Sequence, residues 1–80
     1  MLTEYVDAAM RHATYEILPD DNSYYDEIPE CNGVWTNEAT LAECQRDLRS
    51  TLEGWILIRT RAGREIPVIE GIDINLHELV

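Results

Sequence analysis

Five carboxylates fall close together in the first half of the chain, at Asp20, Asp21, Asp26, Glu27 and Glu30. Gathered around a divalent cation, such a set would support phosphodiester hydrolysis, which in two-metal sites needs several carboxylates converging on ions about 4 Å apart. The spacing argues against convergence here. Asp20 and Asp21 belong to a turn-forming run, Pro19-Asp20-Asp21-Asn22, while Asp26 and Glu27 are adjacent in an extended segment and point to opposite faces of it. A divergent nuclease built on Asp20, Asp26 or Glu43 is therefore a secondary reading. Glu43 already has another task as part of a helix cap.

The remaining reactive side chains do not complete a site. His12 and His77 stand at opposite ends of the chain, outside any His-Glu-x-x-His pattern, and Cys31 and Cys44 have neither CxxC spacing nor a second pair of zinc ligands. No segment supplies a nucleophile, a base and an orienting group together. The expectation is a protein with no catalytic residues, no metal and no cofactor, whose acids and aromatics contact a partner.

Charge sets the kind of partner. The 80 residues carry 16 acids against six basic residues, for a net charge of −10. Residues 1 to 40 hold nine of the acids and only Arg11, giving −8, and residues 41 to 80 carry the other −2. A field of that sign repels phosphate backbones, so direct nucleic-acid contact is not expected, and it favours a basic protein. The start, Met1-Leu2-Thr3-Glu4-Tyr5, has no basic n-region or apolar run, and no later stretch is long enough to cross a bilayer. Two unpaired cysteines fit a reducing, cytoplasmic setting.

These side chains must be held by a small set of elements. Thr40-Leu41-Ala42-Glu43 reads as a capping box, with Thr40 accepting from the Glu43 N–H and the Glu43 carboxylate reaching back to the Thr40 N–H. Leu41, Cys44, Leu48, Leu52, Trp55 and Ile56 follow at three- and four-residue spacing, which predicts an amphipathic helix running to about Arg61, closed near Gly63. Its length of roughly 30 Å makes it the bar on which the chain packs. Arg59, Arg61 and Arg64 cluster where cations meet the negative end of the helix dipole.

Upstream, Leu2, Tyr5, Val6, Ala9 and Met10 predict a short helix over residues 2 to 12 with Thr3 as its N-cap. Residues 13 to 18 and 23 to 28 read as an antiparallel hairpin closed by the Pro19–Asn22 turn, and Val34-Trp35-Thr36 as a third strand after the Asn32-Gly33 turn. The hairpin register is ambiguous. Tyr24, Asp26 and Ile28 share one face, Tyr25 and Glu27 the other, and neither set is cleanly apolar. Ile66 to Ile69 and Ile72 to Ile74 offer a short additional strand, and residues 75 to 80 a tail or a helical turn. At this length one domain is expected, with dimerisation or higher association as a source of further stability.

The run Tyr24-Tyr25-Asp26-Glu27-Ile28-Pro29-Glu30, then Gly33-Val34-Trp35-Thr36, then Thr40-Leu41-Ala42-Glu43-Cys44, resembles the HicB family of antitoxins over roughly residues 13 to 62. In that family an aromatic strand ends in a Pro-acid pair, a Gly turn leads to the third strand, and a Thr-Leu-x-Glu segment caps the long helix. The chain departs from the pattern at Asp26, where a small residue is common, and at Glu38, where Gly is. The resemblance implies an α+β, partial ribonuclease-H-like fold without the catalytic carboxylates, and a partner that is a small HicA-type mRNA-cutting toxin. Many members add a C-terminal DNA-binding domain, for which residues 63 to 80 are too few. The residues expected to meet the partner are Asp20, Asp21, Tyr24, Asp26, Glu30 and Trp35, the acids steering encounter and the aromatics supplying buried contact. A structural homo-oligomer of other function is a third class of reading.

Overall fold

The computed structural model describes residues 1–76. Five elements follow in the order α1 (Leu2–Arg11), β1 (Thr14–Ile17), β2 (Tyr24–Glu27), β3 (Trp35–Glu38) and α2 (Leu41–Arg61). The three strands form one antiparallel sheet in the order β1-β2-β3, so the expected α+β architecture of two helices and a three-stranded sheet is present.

The ends of α2 show why it forms where it does. Thr40, extended at φ −125°, accepts the Glu43 N–H through Oγ1 at 3.2 Å. Its hydroxyl in turn donates to Glu43 Oε1 at 2.8 Å, so the glutamate closes the cap on the threonine side chain and not on its backbone N–H. At the other end Arg64 N–H reaches the Arg59 carbonyl at 2.9 Å and Gly63 N–H the Thr60 carbonyl at 3.2 Å. That pair of bonds is a Schellman motif, which requires Gly63 at φ +68°. The Arg59 guanidinium lies over the Trp55 ring at 4.8 Å and donates to the Glu65 carbonyl, so it both neutralises the helix end and holds the exit chain.

The buried face of α2 is Cys44, Leu48, Leu52 and Ile56, one residue per turn. Leu41 lies in the exposed first turn, and Trp55 is half-buried. The N-terminal half of the helix crosses β2 and β3, where Cys44 sits under the sheet. Its middle meets the main core, formed by Tyr5, Val6, Ala8 and Ala9 of α1, by Ile28, Cys31 and Val34, and by Ile66 and Ile69. The β2–β3 connection is thus an apolar plug. Ile28, Cys31 and Val34 satisfy their own backbone through bonds of 3.0–3.1 Å, which lets a loop be buried. Both cysteines are free and buried.

Two expectations are shifted. Helix α1 begins at Leu2 with Met1, and not Thr3, in the N-cap position, and the Met1 ammonium pairs with Glu4 at 3.1 Å. The C-terminal isoleucines do not extend the sheet: among the described residues, Ile69 and Ile72 pair with each other through a single antiparallel bridge. Its turn places Glu70 at φ +50° and Gly71 at φ +75°. The Asn75 side chain copies a strand edge, accepting from the Ile66 N–H at 2.6 Å and donating to its carbonyl at 2.8 Å. Of the expected tail, Asn75 and Leu76 are described, and His77 and residues 78–80 lie outside the described residues.

Candidate functional site

The strand register sorts the side chains into two faces. In one row Glu16 lies opposite Tyr25 and Tyr25 opposite Asn37, and in the next Thr14 lies opposite Glu27 and Glu27 opposite Trp35. These side chains share the face turned away from α2. The other rows, Tyr15-Asp26-Thr36 and Ile17-Tyr24-Glu38, face the helix side.

On the outward face Tyr25 and Trp35 are diagonal neighbours and stack, with ring centroids 5.8 Å apart and planes 21° from parallel. Trp35 remains 54% exposed. Glu16 and Glu27 stand beside the stack, both exposed. The Tyr25 hydroxyl donates to Glu27 Oε2 at 3.4 Å, and burial together with these two carboxylates pushes the Tyr25 phenol up. A flat, open aromatic pair edged by carboxylates is suited to a planar cation, since a guanidinium can stack on the rings and donate to the acids.

The residues expected at a partner surface are distributed unevenly around this platform. Trp35 is on it. Asp20 and Asp21 are in the exposed β1–β2 turn, where Asp21 accepts from the Ser23 N–H at 3.0 Å and is held below the usual carboxylate range by the Ser23 side chain first and this N–H second. Tyr24 is half-buried on the helix side, and its carbonyl accepts from the Asn37 amide at 2.8 Å. Asp26 is the departure from expectation. It is fully buried between the sheet and Cys44, with neither carboxylate oxygen hydrogen-bonded, because β2 turns its Tyr24-Asp26-Ile28 face inward. The loss of water raises its pKa. Buried there, it is not part of a contact surface.

Glu30 belongs to a second cluster. His12 at the end of α1 bridges Glu30 through Nδ1 and Glu70 through Nε2 at 3.0 Å, and Arg11 grips Glu70 at 2.7 and 3.3 Å. The hydrogen bond to Glu30 is the main cause of a raised His12 pKa, with Glu70 adding to it; Glu30 is lowered chiefly by His12, and Glu70 by Arg11 first and His12 after it. The cluster ties α1, the β2–β3 loop and the Glu70 turn together.

Among the described residues no three His, Cys, Asp or Glu side chains gather in a way that would hold a metal ion. The acids named for a nuclease are separated by the fold, with Asp20 in an exposed turn, Asp26 buried and Glu43 engaged in the helix cap. Tyr25, Glu16 and Glu27 were not expected at a site. The signal for Tyr25 and Glu27 was present as one half of the β2 alternation, which the sequence left ambiguous until the register chose the buried face, and Glu16 joins them only through its pairing opposite Tyr25.

The profile of the UPF0150-like family matches residues 4–67. The chain belongs to the UPF0150-like family. The crystal structure of TTHA0281 from Thermus thermophilus matches this UPF0150-like chain with a TM-score of 0.87 at 38% identity, over 96% of this chain and 95% of that one. No curated protein matches it significantly. In this UPF0150-like protein no helix among the described residues is long and apolar enough to cross a membrane.

Proposed function

We propose that this protein is a non-enzymatic, antitoxin-like binding module that neutralises a HicA-type ribonuclease by masking it. The observation that carries the reading is the open Tyr25–Trp35 stack with Glu16 and Glu27 beside it, on a sheet face that no other described element covers. A small basic nuclease presents arginine and lysine side chains, and this platform complements them in shape and charge. The −8 first half of the chain adds long-range attraction for the same partner. Supporting it are the ordered motif resemblance to HicB antitoxins and membership of a family recognised as related to them.

The test is co-expression with HicA-type toxins from the same operon. The expected result is a stoichiometric complex, loss of RNA cleavage, and weakening of the complex as salt rises. Trp35→Ala should cost about 2 kcal/mol of binding, as buried aromatic anchors do, while leaving the fold intact because the ring is exposed. Absence of any complex, or metal-dependent RNA cleavage by the pure protein, would overturn the reading.

A further inference from the structure

The outward face of the sheet carries six side chains on a grid set by the register. One row runs Glu16, Tyr25, Asn37 and the next Thr14, Glu27, Trp35 across β1, β2 and β3. The Tyr25–Trp35 stack is therefore one diagonal of that grid, crossing from β2 to β3. Glu16 and Glu27 form the parallel diagonal, crossing in the same sense from β1 to β2. A line of carboxylates thus runs alongside a line of rings, one strand spacing of about 4.8 Å away. As diagonal neighbours the two glutamates stand roughly 7–8 Å apart.

No cation of the chain answers these two acids. Elsewhere acids are given basic partners: Arg11 and His12 hold Glu70, His12 also holds Glu30, and Arg49 holds Asp7 at 2.9 Å. None of the six outward side chains is basic, and among the described residues neither Glu16 nor Glu27 has a salt bridge. Glu27 receives the Tyr25 hydroxyl, which is neutral. Two unmatched like charges at this spacing repel each other and add nothing to the fold. Their gain has to come from outside the chain.

Rings stacked in a line with negative charges running beside them are the pattern of a short single strand of nucleic acid, whose bases stack and whose phosphates follow the stack. Proteins hold such strands with basic side chains along the backbone and planar groups against the bases. Resting on the toxin reading above, we propose that the outward face imitates two stacked nucleotides of single-stranded RNA, and masks the nuclease by occupying the groove in which its RNA lies. Tyr25 and Trp35 take the place of the bases, and Glu16 and Glu27 that of the phosphates. Arginines that grip RNA phosphate grip carboxylates with the same planar fork, so the groove exchanges one ligand for the other without rebuilding its contacts. The same carboxylates repel RNA itself, so this aromatic face does not serve as a platform for bases.

The test follows, by fluorescence anisotropy, a labelled RNA oligonucleotide made uncleavable by ribose methylation and bound to the HicA-type toxin of the same operon. Adding this protein is expected to release the oligonucleotide completely. The concentration needed should rise in proportion to the oligonucleotide present, as simple competition requires. Glu16→Gln combined with Glu27→Gln is expected to weaken displacement roughly tenfold, because hydrogen bonds to charged groups are lost. Glu53→Gln combined with Glu65→Gln removes the same charge from exposed positions outside the sheet and should leave displacement unchanged. Circular dichroism is expected to be the same for the parent and both variants.

A complex in which cleavage is blocked while the oligonucleotide stays bound overturns the mimicry and leaves the antitoxin reading standing. Absence of any complex removes both. Equal weakening by the two double variants would mean that bulk charge, and not the pattern on the sheet, is recognised, and it overturns the proposal. Direct binding of the oligonucleotide to this protein without toxin does so as well.

Discussion

The Tyr5 hydroxyl donates to the Pro67 carbonyl at 2.7 Å, joining positions 62 apart in sequence. Pro67 follows the last turn of α2, where the chain has left regular structure and has no ladder partner for that carbonyl. The tyrosine ring is fully buried in the core and its oxygen lies 4.0 Å from the Cys31 sulfur. Burial first, and the neighbouring thiol and Glu30 after it, push the Tyr5 phenol well above its ordinary range. The hydroxyl therefore stays a donor at any physiological pH.

Tyr5→Phe keeps the ring and removes the donor, leaving the Pro67 carbonyl without it. A loss of about 1 kcal/mol is expected, which for a domain of this size corresponds to a fall in Tm of roughly 4–8 °C. Urea unfolding with an unchanged m-value would show that only stability has moved. No change in midpoint would mean that water replaces the tyrosine at that carbonyl.

Asp26 gives a prediction of opposite sign. Its pKa is raised because burial penalises the carboxylate, with the Cys44 thiol offering only partial relief. In the unfolded chain it ionises near its ordinary value of 3.8. Its contribution is therefore complete below that value and is lost as pH rises through the higher folded pKa. At neutral pH Asp26→Asn should stabilise the protein by about 1–3 kcal/mol, the typical cost of an unsatisfied buried polar group. The gain should vanish near pH 3.8. Urea midpoints of both proteins from acid to neutral pH provide the check, and a destabilised D26N at neutral pH would mean the ionised form has a partner.

How much of this was readable in advance differs by position. The long helix and its Gly63 stop were legible because the cap and breaker signals are local, confined to a few adjacent residues. The inward turn of Asp26 was not. The β2 strand reads Tyr-Tyr-Asp-Glu, with one aromatic and one acid on each face, so hydropathy does not choose between them. The choice is made by Ile28, Thr36 and Cys44, buried neighbours brought together by tertiary packing. The outward Tyr25–Trp35 platform follows from the same choice. The His12–Glu30–Glu70 bridge was equally hidden, because its members are separated by 18 and 58 positions.

That bridge predicts a bell-shaped stability profile. His12 has a raised pKa, caused first by its hydrogen bond to Glu30 and then by Glu70, partly offset by desolvation. Its contribution is full below its ordinary value of 6.5 and is lost as pH climbs through the higher folded value. Glu30 and Glu70 are lowered, so their contribution is present above the ordinary 4.5 and is lost as pH falls through their folded values. His12→Gln should flatten the alkaline limb and leave the Asp26-dependent acidic change in place. If the alkaline limb persists in H12Q, another group governs it.

Two glycines near the end of α2 should respond oppositely to the same substitution. A Cβ at either Gly54 or Gly63 would meet no atom within 4 Å, so crowding does not enter and backbone conformation decides. Gly54 lies inside the helix on its exposed side, where Ala is preferred by about 0.5–1 kcal/mol. Gly63 holds φ +68° in the Schellman turn, a left-handed conformation that costs an L-residue about 1–2 kcal/mol. Thus Gly54→Ala should raise the unfolding midpoint and Gly63→Ala lower it. A G63A protein as stable as the parent would show that the helix can end without the Arg64-to-Arg59 bond, and Arg59 would then be the residue holding the exit chain through its contact with the Glu65 carbonyl.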